Sequence, residues 1–149
     1  MFTIPPSLPL NLLPTERRGD EEWAWDPIRK KHILMTPEEW VRQNLVHYLL
    51  NEIKVPRGLL SMERGLKYNN LQKRYDLVAW DRKGKPALLC ECKSPFIELD
   101  QNALQQLFVY NSQLETPRVI LTNGKKLMLF EKKPDGVFQE NNLLPEFWK

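Results

Sequence analysis

The sequence predicts a single α/β domain built on a mixed central sheet. Three observations carry this expectation. An amphipathic helix opens on a strong capping signal at Thr36, and three β segments separated by short turns follow it. A second helix then stands between the third and fourth strands, where a crossover connection permits a parallel pair. The expected order is helix, three-strand antiparallel meander, crossover helix, two strands. At 149 residues one domain with one core of normal size is expected, spanning 36–133, with an N-terminal extension over 1–35 and a tail over 134–149.

Residues 1–20 read as irregular, because prolines at 5, 6, 9 and 14 fix φ and remove donors. Trp23-Ala24-Trp25 and Lys31–Met35 read as short extended pieces around an Asp26-Pro27 turn. Thr36 is a good N-cap, Pro37 suits the first helical position, and Glu38 and Glu39 complement the positive end of the helix dipole. Glu39 also completes a T-x-x-E capping box. Val41, Leu45, Tyr48 and Leu49 recur at helical spacing until Pro56 and Gly58 end the element. Leu59–Tyr68, Lys73–Asp81 and Ala87–Lys93 then read as strands, joined at Asn69-Asn70 and Lys83-Gly84-Lys85. Asp100 caps a helix to about Leu114, with Leu104, Leu107, Phe108, Asn111 and Leu114 on its inner stripe. Arg118–Thr122, an Asn123-Gly124 hairpin signal and Leu127–Lys132 complete the expected sheet, and Phe138–Lys149 reads as a polar tail with aromatic anchors.

Composition excludes several classes. Hydrophobic residues at 42% and charged residues at 28% are ordinary for a soluble protein, and the net charge of +3 does not announce nucleic-acid binding. Basic clusters such as Arg29-Lys30-Lys31 and Lys125-Lys126 read first as a solvated rim of turns and strand ends. No apolar run reaches the roughly 18 residues of a membrane span, and the proline-broken opening, without a basic start, is a poor signal peptide. Cys90 and Cys92 stand too close on one strand for an ordinary structural disulfide, so a reducing cytoplasm is the expected compartment. His32 and His47 lack metal-ligand spacing. The five tryptophans read as packing anchors rather than base-stacking platforms.

Three ionisable residues stand where a strand should be apolar. Asp76 lies in RYDLVAW, and Glu91 and Lys93 lie in ALLCECKS. Strand alternation puts Glu91 and Lys93 on one face and Cys90 and Cys92 on the other, in the core. Unpartnered buried charges are costly, so the Asp, the Glu and the Lys should meet each other or a cation. The strands of Asp76 and Glu91 are neighbours, so their carboxylates can converge across about 5 Å. Two hard oxygen ligands, the sideways carbonyl of Cys92 and several waters suit Mg²⁺ (or Mn²⁺), with Lys93 beside the ion. That combination suits phosphodiester hydrolysis. An internal ion-pair cluster without catalysis is an equal reading of the triplet alone.

The spacing of Asp76, Glu91 and Lys93 on consecutive strands resembles the PD-(D/E)XK nuclease superfamily, the restriction-endonuclease-like fold. More narrowly, TPEEWVRQNLVHYL, KRYDLVAWDRKGKP, LLCECKSP and QLFVYNSQ, followed by LTNG, resemble the N-terminal nuclease domain of type I restriction enzyme R subunits over roughly residues 26–131. The resemblance implies Asp76 and Glu91 as metal-binding acids and Lys93 as the catalytic lysine. It implies that Gln106 and Tyr110, a QxxxY pair on one helical stripe, support the site and the DNA strand. A first-helix acid near the metal is also implied. Glu38 is the choice, since it falls on the stripe of Val41, Leu45 and Tyr48, whereas Glu39 falls outside it. Tyr75 occupies the superfamily's Pro position. Lys73, Arg74 and Lys125 are candidates for DNA backbone contacts.

The function expected is therefore a Mg²⁺- or Mn²⁺-dependent DNA endonuclease-like domain, stand-alone without a translocase. Two alternatives remain open: a non-catalytic nucleic-acid-binding module, and an interaction module docking on restriction or repair subunits. No membrane partner is expected. Double-strand cutting by a domain with one site favours a homodimer or two sequential nicks.

Overall fold

The computed structural model describes residues 1–62, 65–68 and 71–149, with the backbone alone described at 65–68 and 71–74. The elements in chain order are β1 (Phe2–Thr3), β2 (Glu16–Arg18), β3 (Glu21–Asp26), β4 (Lys31–Leu34), α1 (Pro37–His47), β5 (Leu60–Ser61), β6 (Gly65–Tyr68), β7 (Leu71–Arg74), β8 (Leu77–Trp80), β9 (Pro86–Cys92), α2 (Gln101–Leu114), β10 (Arg118–Thr122), β11 (Leu127–Lys132), β12 (Phe138–Asn141) and β13 (Leu143–Leu144).

The central sheet has the order β12-β11-β10-β9-β8-β5. Among the described residues only β9 and β10 run parallel in it, with Val119 opposite Leu89 and Thr122 opposite Cys92, and α2 makes the crossover between them. The sheet is therefore mixed, as the sequence predicts. Strand alternation sorts its two faces. Leu77, Ala79, Leu88, Cys90, Cys92, Ile120 and Leu129 pack with Val41, Leu45 and Leu49 on the α1 side. Val78, Leu89, Val119, Leu121 and Phe130 pack with Leu107 on the α2 side. Both cysteines are free and fully buried in the α1-side core.

Both helices start where the capping residues dictate. The Thr36 side chain accepts from the Glu39 N–H at 3.2 Å, and the Asp100 side chain from the Ala103 N–H at 2.9 Å. The return half of the capping box does not form: the Thr36 N–H donates to the Leu34 carbonyl, and the Glu39 carboxylate is drawn into ion pairs with Arg29 and Arg42 instead. Past His47 the first helix widens into a π-helical turn, Tyr48–Ile53, and stops at Lys54 in the left-handed region. Asn111 explains its polar place on the inner stripe of α2: it donates to the Thr116 carbonyl at 3.0 Å and accepts from the Thr116 N–H at 3.1 Å, closing the helix end.

The meander is built in two tiers. Its sheet-bound part is β5–β8–β9, with Leu60 opposite Ala79 and Leu77 opposite Cys90. The rest of the first two expected strands pairs apart, as the hairpin β6–β7 with Gly65 opposite Arg74. The break falls at the Tyr75–Asp76 bend. The expected Asn69-Asn70 turn lies outside the described residues.

The N-terminal residues form a layer over α1. Strands β2-β3-β4 make a small antiparallel sheet. Leu13, Ala24 and Met35 pack there with Trp40. The proline-rich segment crosses the sheet at the β10–β11 turn as a strap: the Leu127 N–H donates to the Pro6 carbonyl, the Leu8 N–H to the Gly124 carbonyl, and the Leu12 N–H to Asn44 Oδ1, each at 2.8 Å. Gly124 sits at φ +87°, and a Cβ there would meet Leu10 Cδ2 at 3.1 Å, so both the turn and the strap need glycine. At the other end of the chain, residues expected as a tail form β12 on the sheet edge and β13, which pairs with β1, while Trp148 is buried in the core and stacks on Phe2.

Candidate active site

The ladder between β8 and β9 runs from Ala79 opposite Leu88 to Leu77 opposite Cys90. The next step along the same register brings Asp76 opposite Glu91. At the bend, Asp76 supplies a side chain where a backbone partner would stand: its Oδ2 accepts the Cys92 N–H at 2.7 Å. The N–H and C=O of one strand residue leave the strand on the same side. The Cys92 carbonyl therefore leaves β9 on the side of Asp76.

Asp76 and Glu91 thus face each other at the end of the ladder, close enough to interact electrostatically. Burial raises the Glu91 pKa first, and the neighbouring Asp76 charge and hydrogen bond raise it further, to about 9, against the opposing pull of Lys93. The charge of Glu38 adds to the rise, which places the first-helix acid within electrostatic reach of the pair. Lys93 follows Cys92 at the end of β9, its N–H donating to the Thr122 carbonyl at 2.8 Å. Among the described residues no three His, Cys, Asp or Glu side chains gather as a metal-ligating group.

Arg42 was not foreseen from the sequence, yet it organises the cluster. Its Nη2 donates to Asp76 Oδ1 at 2.7 Å and to Glu38 Oε2 at 3.2 Å, and its Nη1 donates to Glu39. Burial works against this guanidinium, but the charges of Asp76 and Glu39 outweigh it and keep its pKa above the ordinary value. Glu39 in turn accepts from Arg29 Nη2 at 3.0 and 2.9 Å. Arg29 Nε donates to the fully buried Asp26 at 2.5 Å, and Gln43 Nε2 donates to the same carboxylate at 2.8 Å. A continuous chain of charges thus runs from the β3–β4 turn through α1 to Asp76. The signal for it in the sequence is the pair of i,i+3 and i,i+4 spacings from Glu39 and Glu38 to Arg42, which on a solvent-facing helix would mean little. Contact with Arg29 and with Asp76 is what leaves Glu39 and Arg42 buried here.

Tyr110 approaches from α2. Its ring lies 6.5 Å from that of Tyr75, and its buried hydroxyl has no hydrogen-bond partner among the described residues. Burial, then the charge of Glu91, pushes its pKa up. Gln106, one turn earlier, is exposed. Glu38 is half-exposed, with 46% of its side-chain surface open. Lys125 is exposed on the β10–β11 loop. The side chains of Lys73 and Arg74 lie outside the described residues. His47 is half-buried, with burial lowering its pKa against the pull of Asp26, and His32 packs edge-on against Trp25. A cleft of about 700 Å³ lined by Arg29, Leu60, Trp80 and Arg82 does not include the acid pair.

Residues 37–145 match the family described as type I restriction enzyme R protein N terminus (HSDR_N). The chain belongs to this family. The match begins with α1 and ends past β13, so it takes in every residue of the cluster except Asp26 and Arg29. No curated protein matches the chain. In the restriction R-protein family context, the mixed sheet with one helix on each face is consistent with a restriction-endonuclease-like fold. No helix among the described residues is long and apolar enough to cross a membrane.

Proposed function

We propose that this domain is a PD-(D/E)XK nuclease that hydrolyses DNA phosphodiester bonds with Mg²⁺ or Mn²⁺. The observation that supports it most is the juxtaposition of Asp76 and Glu91 at adjoining strand ends, with Lys93 just past the end of β9. Two acids so placed need a shared proton or a cation. Their oxygens, with the Cys92 carbonyl on the same side of the strand, are hard ligands of the kind a small divalent ion takes alongside waters. Asp76, Glu91 and that carbonyl would hold the ion, with Glu38 as the further acid.

A bound divalent ion supplies Lewis-acid polarisation of the phosphate and a lowered pKa for its water. The protein's own groups do the rest. Lys93 orients the attacking water and balances charge that develops on the phosphate. The buried Tyr110 hydroxyl, which has no hydrogen-bond partner among the described residues, would support the site from α2, and Gln106 extends the same stripe toward the DNA strand. Lys73, Arg74 and Lys125 are the candidates for backbone contacts.

The test is cleavage of plasmid and branched DNA with Mg²⁺ or Mn²⁺. Asp76→Ala and Lys93→Ala are each expected to lower the rate by roughly 10²–10³-fold. Activity that survives both substitutions sinks the assignment. One observation favours a second reading, a DNA-binding module without turnover: Arg42 and the Cys92 N–H already satisfy both oxygens of Asp76. That reading predicts salt-sensitive DNA binding and no heat on Mn²⁺ titration. The nuclease reading predicts metal binding that disappears in Asp76→Ala.

A further inference from the structure

We infer that the loops at the carboxyl ends of β9 and β10 form a base-stacking rim that selects DNA carrying unpaired bases. The inference deepens the nuclease reading and rests on it for the position of the reacting phosphate.

The β9–α2 loop starts directly after Lys93. It holds Phe96 with 82% and Ile97 with 50% of their surfaces exposed. Exposed apolar side chains of this size on a loose loop would mean little. This turn is fixed. The Phe96 N–H donates to Ser94 Oγ at 3.2 Å, and the Ile97 N–H to the Ser94 carbonyl at 3.0 Å. The Ile97 carbonyl accepts from Asn123 Nδ2 at 2.8 Å, and Asn123 is itself buried. Asn123 belongs to the β10–β11 loop, so one amide ties the two loops together. Its Oδ1 accepts the Lys126 N–H at 2.9 Å, which fixes the segment carrying the exposed Lys125 and Lys126.

The rim therefore places an aromatic face, an apolar neighbour and three cations (Lys93, Lys125 and Lys126) on the end of the parallel strand pair. Open α/β sheets bind ligands at that end. The exposed acids there are Glu98 and Asp100, and the Asp100 carboxylate is engaged as the α2 cap. Cations beside a single displayed ring fit a polyanion whose bases are open to stacking. In a closed duplex the base faces are covered, and Phe96 has nothing to stack on. In a fork, flap or single strand they are open.

Fluorescence anisotropy of the full chain tests this in the presence of a chelator, with oligo-dT, a forked duplex and a blunt duplex as probes. Phe96→Ala is expected to weaken oligo-dT and fork binding about tenfold, equivalent to about 1.4 kcal/mol. It should leave the blunt duplex and the melting temperature unchanged, and Phe96→Trp should restore the preference. Lys125→Gln combined with Lys126→Gln should weaken all three probes and flatten the salt dependence. Three results overturn the rim: unchanged oligo-dT affinity in Phe96→Ala, an equal loss on all three probes, or no DNA binding by the wild type. Metal-dependent cleavage is scored separately. Stacking preference without cleavage supports the rim and sinks the hydrolytic reading, whereas cleavage with no Phe96 effect overturns the rim alone.

Discussion

Asp26 and the Asp76–Glu91 pair are both acids inside the fold, both tied to an arginine, and the chain treats them differently. Asp26 accepts from the Ile28 N–H at 2.7 Å, the Arg29 N–H at 3.0 Å, Arg29 Nε at 2.5 Å and Gln43 Nε2 at 2.8 Å. Burial alone would raise its pKa, but those hydrogen bonds, led by Arg29, outweigh burial and hold it below the ordinary value. Asp76, by contrast, faces a second carboxylate, and Glu91 is pushed up to about 9. One acid is saturated by donors of its own chain and is architecture. The other two press against each other, an arrangement that a fold alone has no reason to keep and that a cation would relieve. The bridge between the two regions is Arg29–Glu39–Arg42.

The contrast can be broken from the structural side first. Asp26→Ala leaves Arg29 and Gln43 without their buried acceptor, and urea unfolding should show a loss of about 3–5 kcal/mol. Stability equal to wild type would put Asp26 outside the architecture. Next, Arg42→Met frees Asp76 Oδ1, and the swinging carboxylate should bind Mn²⁺ about tenfold more weakly by calorimetry, with Arg42→Lys recovering part of the loss. A rise in affinity would instead make Arg42 a competitor of the ion rather than its orienter. The smallest effect is on pH dependence, because Glu91 is only half-buried. The native chain keeps a proton on Glu91 between about 4.5 and about 9, where the unfolded chain has released it. The stabilising contribution is thus fully present below pH 4.5 and is lost as pH rises toward 9. Melting temperatures of the metal-free protein should fall across that window, and Glu91→Gln should flatten the fall. An unaltered slope would separate the two acids.

Much of this was legible in the sequence, because it rests on local rules. Alternation alone separates Glu91 and Lys93 from the core-facing Cys90 and Cys92, and Thr36 and Asp100 mark the helix starts through their side-chain oxygens. The crossover follows from a helix between two strands. What stayed hidden depends on distant parts of the chain. The buried pairings of Glu39 with Arg29 and of Arg42 with Asp76 join separate elements, which helical spacing alone does not report. The expected second strand divides at Asp76, since its carboxylate takes the hydrogen bond that a continuing ladder would have used. The β1–β13 pairing joins residues at opposite ends of the sequence, and no local periodicity reports it.

The opening strap has a consequence of its own. It contributes no chemical group to the acid cluster, yet it buckles over the hairpin that carries Asn123 and Lys125 through the Leu8 and Leu127 amides. A nick between Pro6 and Leu12 would slacken the mouth before it disturbed the carboxylates. Grip on a substrate and the capacity to cut it would then come apart, through a segment whose prolines make it read as irregular.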